Sequence, residues 1–139
     1  MAGRTTRERG RAAEQEAARF LESRGLSVVE RNVEIGGAEL DLIAIMQDST
    51  ETQTLVFVEV RSRADERAGS PIETINRRKR ARVLRAATAW LVARGLWERV
   101  AVRFDVIGIT YDDGAGSGPE NERTPRIEWI PGAFDVDDA

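Results

Sequence analysis

Two carboxylates interrupt segments that are otherwise built for a core: Asp41 in ELDLIAIM and Glu59 in TLVFVEVR. Aliphatic and β-branched residues dominate both segments, so both read as strands, at 39–46 and 54–61. Alternation puts Asp41 on the face of Ile43 and Ile45, and Glu59 on the face of Leu55, Phe57 and Arg61. The polar stretch 47–53 makes the pair a hairpin, and a loop centred near residue 50 sets Asp41 directly opposite Glu59. Like charges facing each other on a half-buried sheet are destabilising, and each buried carboxylate costs free energy unless it is paired. A divalent cation removes that cost. Paired carboxylates with a backbone carbonyl and waters suit magnesium, whose usual chemistry is metal-assisted hydrolysis.

A third carboxylate stands on the first predicted helix, 6–24, whose buried stripe is Ala13, Ala17, Phe20 and Leu21. Glu14 lies beside that stripe and is placed to point towards the sheet. Each carboxylate also has a plainer reading. Glu14 fits an ordinary helix surface, Asp41 a strand-end turn or an arginine salt bridge, and Glu59 an ion pair with Arg61.

The inventory narrows the chemistry further. The 139 residues include no cysteine and no histidine. Disulfides, thiolate nucleophiles, imidazole acid-base catalysis and nearly all transition-metal sites are excluded. Carboxylate, amine, guanidinium and hydroxyl remain, a set that favours a hard cation, magnesium or manganese. Net charge is −3 but segregated: residues 1–105 carry 19 basic and 16 acidic side chains, residues 106–139 carry 2 and 8. Residues 61–85 alone hold 9 basic and 3 acidic. A cationic patch on an acidic protein of pI about 5.2 makes a phosphate backbone one natural partner, with a solvated helix face as the equal alternative. No apolar run exceeds five residues, so no membrane span is expected. The first 25 residues lack the apolar stretch of a secretory signal, and a cytoplasmic location is expected. A homodimer is compatible with the sequence.

The elements that position these groups follow in order. Gly25 closes the first helix, 27–34 is a strand, and Gly36–Gly37 is a turn into the hairpin. Ser70-Pro71-Ile72-Glu73 has the form of a capping box, with Asn76 as a second N-cap, and opens a helix reaching about Arg94. Val83, Leu84, Ala87, Trp90 and Leu91 line its apolar side, while Arg77, Arg78, Lys79 and Arg80 crowd its start. Strands at 100–109 and 126–130 complete the chain, with a flexible loop at 112–124 and an acidic tail at 135–139. One α/β domain spanning 1–139 is expected, a mixed central sheet flanked by helices, with the third and fourth strands parallel across the long helix.

These residues carry a family resemblance. From RERGRAAEQEAARFLESRG through VVERNVEIGGAELDLIA, LVFVEVRSRADERAGSPIETINRRKRARVLRAA and VRFDVIGI to RIEWIPGAF, the chain resembles the YraN family of small uncharacterised bacterial proteins. That family looks like part of the restriction-endonuclease-like, or PD-(D/E)XK, nuclease superfamily. The resemblance implies that Glu14, Asp41 and Glu59 bind the metal and act in catalysis, and that Arg61 stands where the superfamily has a lysine. Arginine stays protonated and offers only charge and donors, so it is a poor general base. The resemblance thus implies either a magnesium-dependent nuclease that hydrolyses phosphodiesters or an inactive nuclease-fold module binding nucleic acid or a DNA-processing partner. Arg77, Arg78, Lys79 and Arg80 are the expected nucleic-acid contacts. For Lys79 the favoured reading is one more basic residue on a wet face. Asp105, which also interrupts an apolar strand, is assigned no chemical role.

Overall fold

A computed structural model describes residues 6–63, 73, 75–111 and 125–135. Helix α1 (Thr6–Ser23) buries Ala13, Ala17, Ala18 and Leu21. It ends at Gly25, where φ is +92°, and the Leu26 N–H donates back to the Leu21 carbonyl. Strands β1 (Ser27–Ile35) and β2 (Ala38–Gln47) pair antiparallel through a two-residue turn, Gly36–Gly37. Both glycines have positive φ, 62° and 78°, as this tight hairpin turn requires.

Strand β3 (Gln53–Arg63) pairs antiparallel with β2 from Leu42↔Val58 to Gln47↔Gln53. That is the register expected from a loop centred at residue 50. Helix α2 (Arg77–Ala93) then carries the chain to β4 (Ala101–Thr110), which runs parallel to β3. Strand β5 (Arg126–Phe134) returns antiparallel beside β4, so the sheet order is β1-β2-β3-β4-β5. The described residues form the expected α/β fold, a five-stranded mixed sheet with two helices. No described helix is long and apolar enough to cross a membrane.

The helices cover opposite faces, which is why β3 is buried from Leu55 to Glu59 without a break. Under α2 lie Ile43, Leu55, Phe57, Phe104 and Val106, with Phe57 edge-on to Trp90 at 5.7 Å and stacked on Phe104 at 5.5 Å. Under α1 lie Leu42, Ala44, Val56, Val58, Ile107 and Ile109.

One detail differs from the sequence reading, and Asn76 takes the capping role that reading offers it. Strand β5 runs through Pro131–Gly132 to Phe134 instead of stopping at Ile130, because the pairing shifts between Phe104 and Val106. A bulge tolerates proline, which has no N–H to give a ladder. The long helix starts at Arg77, with Asn76 as N-cap accepting the Lys79 N–H at 2.9 Å. Of the expected capping box, Ser70, Pro71 and Ile72 lie outside the described residues, as do 112–124 and 136–139.

Candidate metal centre

Asp41 sits where β2 changes faces. Leu40 joins the core under α2 together with Ile43, whereas Leu42 and Ala44 join the core under α1. The strict alternation expected across 39–45 therefore breaks at Asp41, one residue beyond the β2–β3 ladder. Opposite it on β1, between the pairs Arg31↔Leu42 and Val33↔Leu40, Asn32 has φ 52°. The β2–β3 ladder ends at Leu42↔Val58, and the Asp41 carboxylate takes over from it: its Oδ2 accepts the Val60 N–H at 2.9 Å. That bond fixes the carboxylate just past the end of the β2–β3 ladder, beside Glu59.

Glu59 is only 2% exposed. Its Oε1 lies 3.3 Å from the Lys79 ammonium of α2, and its Oε2 is buried with no hydrogen-bond partner among the described residues. Burial, then the negative charge of Asp41, pushes its pKa up to about 8, while Lys79 pulls it down. Glu14 behaves similarly. Burial first and Asp41 second raise its pKa to about 7, with Glu39 adding to the rise and Asn32 and Arg11 opposing it. Its Oε2 is also buried and unbonded.

One carboxylate oxygen from each of Glu14, Glu39 and Asp41 lies within 4.8 Å of the other two. Two oxygens on one magnesium ion stand at most about 4.2 Å apart, twice its bond length, so small side-chain adjustments suffice to share a cation. Helix α1 thus brings Glu14 to Asp41 as the sequence suggests, and Glu59 is electrostatically tied to the same aspartate. Glu39 is the addition. It is exposed, and its only signal in the sequence is its place two residues before Asp41. Hard oxygen donors and two unbonded buried oxygens fit a divalent cation of the magnesium class.

The basic residues divide. Arg61 is half-buried on β3, two residues beyond Glu59. Arg77 and Arg78 face solvent on the first turn of α2. Arg80 is half-buried: its Nε donates to the Ile75 carbonyl at 3.2 Å, and its guanidinium lies 5.9 Å from the centre of the Phe134 ring. Lys79 departs from the expected wet face, since its ammonium lies against a buried acid. With Arg82, Glu39 and the Gly36–Gly37 turn it lines a cleft of about 590 Å³.

Comparison with known proteins places this arrangement among relatives. The sequence pattern that defines the uncharacterised protein family UPF0102 matches residues 13–109. A UPF0102 protein of Marinobacter nauticus is 42% identical over 99% of this chain and 100% of its own length. Others from Anaeromyxobacter dehalogenans (40%, covering 92% and 84%) and Pseudomonas aeruginosa (36%, covering 95% and 96%) are similar along nearly the whole chain.

Proposed function

The chain belongs to the uncharacterised protein family UPF0102, and we propose that it is a divalent-metal-dependent nuclease with a restriction-endonuclease-like core. Its reaction is hydrolysis of phosphodiester bonds in nucleic acid, with DNA as the first substrate to test. One observation carries this reading: a glutamate buried in the middle of a sheet, with one oxygen unbonded and an aspartate beside it. A carboxylate so placed weakens the fold unless something positive joins it.

Asp41, Glu59 and Glu14 would hold magnesium or manganese, with Glu39 as a further ligand. Such an ion, when bound, polarises a phosphate oxygen and makes a bound water more acidic. The protein's own groups set the geometry. The Val60 N–H orients Asp41, and α1 delivers Glu14. Arg61 contributes a permanent positive charge for the negative charge that develops on phosphorus-bound oxygens. Exposed Arg77 and Arg78 suit contacts with backbone phosphates.

A second reading rests on Arg61. A guanidinium does not deprotonate, so a site using it in place of a lysine is also suited to binding nucleic acid, or a DNA-processing partner, without turnover. A cleavage screen over duplex, single-stranded and branched DNA, and RNA, with magnesium or manganese, separates the two. The nuclease reading expects cleavage by the wild type, with Asp41→Asn and Glu59→Gln slower on the order of 100-fold and binding the cation more weakly. Salt-sensitive binding with no cleavage in any metal selects the second reading. Calorimetry that detects no divalent binding removes the metal centre altogether.

A further inference from the structure

Of the chain's 21 basic residues 20 are arginine, and the one lysine, Lys79, stands on the buried acid. Its position is built. Asn76 caps α2 by accepting the Lys79 N–H, which fixes the third residue of the helix over the end of β3. From there the ammonium reaches Glu59 at 3.3 Å, while the side chain stays 30% exposed and borders the cleft shared with Arg82 and Glu39. One group thus faces a carboxylate proposed as a metal ligand on one side and, on the other, an open cleft of mixed charge where Arg82 stands with Glu34 and Glu39.

An ammonium and a divalent ion compete for the same carboxylate. Lysine carries its charge on four rotatable methylenes, so it can leave one partner for another without moving the backbone. Building on the nuclease reading, we propose that Lys79 is a tethered cation: it pairs with Glu59 in the metal-free site, and turns into the cleft to bind the scissile phosphate, beside Arg82, once a divalent ion takes the carboxylate. The two cations then act in sequence. The lysine keeps the buried acid tolerable until the ion arrives, and the ion's arrival releases a positive charge towards the substrate.

The single lysine makes the test direct. In wild-type protein labelled with ¹⁵N-lysine, one side-chain ammonium resonance reports Lys79. Titration with magnesium alone moves that resonance saturably, with the same midpoint as calorimetric binding. Lys79→Gln binds magnesium more tightly, by about tenfold, because the ion no longer shares Glu59 with the ammonium or meets its repulsion. The same variant cleaves on the order of 100-fold more slowly, for want of the phosphate contact. A lysine resonance that ignores an ion calorimetry shows to bind overturns the inference, and needs no variant to fold. So does a Lys79→Gln protein that binds magnesium no more tightly than wild type. Either result leaves the nuclease reading standing, whereas a wild type that binds no divalent cation removes both.

Discussion

Asp105 and Glu59 are buried carboxylates one ladder step apart, since Asp105 pairs with Val58 and Glu59 with Val106 across β3 and β4. They face opposite sides of the sheet and live under opposite regimes. Asp105, 0% exposed, receives both Nε and Nη2 of Arg103 at 2.8 and 2.9 Å, the Trp129 indole N–H at 2.8 Å and the Gly132 N–H at 3.0 Å. Four donors satisfy it. Glu59 has one ammonium and one bare oxygen. A buried acid with all its acceptors filled is a joint between strands, here clamping the β5 bulge onto β4. A buried acid left short of donors is a vulnerability that a ligand can relieve.

The contrast has measurable sides. The largest effect belongs to the satisfied acid. Asp105→Ala strands the Arg103 guanidinium and two N–H donors, and should cost about 3–5 kcal/mol in urea unfolding, the range for breaking a buried pair. A cost below about 1 kcal/mol would mean the joint is dispensable. Trp129→Phe removes one of the four donors while a ring remains edge-on to Phe20. It should cost about 1.5–3 kcal/mol, the range for a hydrogen bond to a charged group.

The smallest shift, and the most diagnostic, concerns Glu59. Its folded pKa of about 8 and that of Glu14, about 7, lie above the ordinary 4.5. The native state therefore holds protons that the unfolded chain has released, so stability is fullest below pH 4.5 and falls as pH rises towards 8. The melting temperature should drop by several degrees between pH 5 and 8.5 without metal, and magnesium should restore it. In Glu59→Gln the drop should shrink, with the high-pH stability at or above that of wild type. A melting temperature that rises over this range would contradict the unsatisfied state of both acids.

In the sequence these two acids look alike, each interrupting an apolar strand. The order of elements, the parallel crossover and the β2–β3 register were legible because they follow from alternation, helical spacing and loop length, all local. Asp41 and Glu59 stood out for the same local reason. What escaped depends on distance along the chain. The donors to Asp105 include Trp129 and Gly132 on a strand whose bulge is masked by a Pro-Gly pair that reads as a stop. Lys79 reaches Glu59 from 20 positions away, and among its arginine neighbours it looks like one more solvated cation. Glu39 shares the face of Asp41 by simple alternation, but an exposed glutamate gives no local sign that a helix from elsewhere in the chain will bring Glu14 beside it.

The irregularities at the two ends of the sheet have a further effect. Among the described strands β1 and β5 are outermost, and an open margin invites another chain to add a strand. Strand β1 is interrupted by its bulge between Val28 and Glu30, by the left-handed backbone of Asn32 and by charges at Glu30, Arg31 and Glu34. Strand β5 is interrupted by Pro131. Neither border offers the long flat row of free amides on which aggregates grow, so the distortions that shape the acidic cluster and seat Asp105 also discourage edge-to-edge polymerisation.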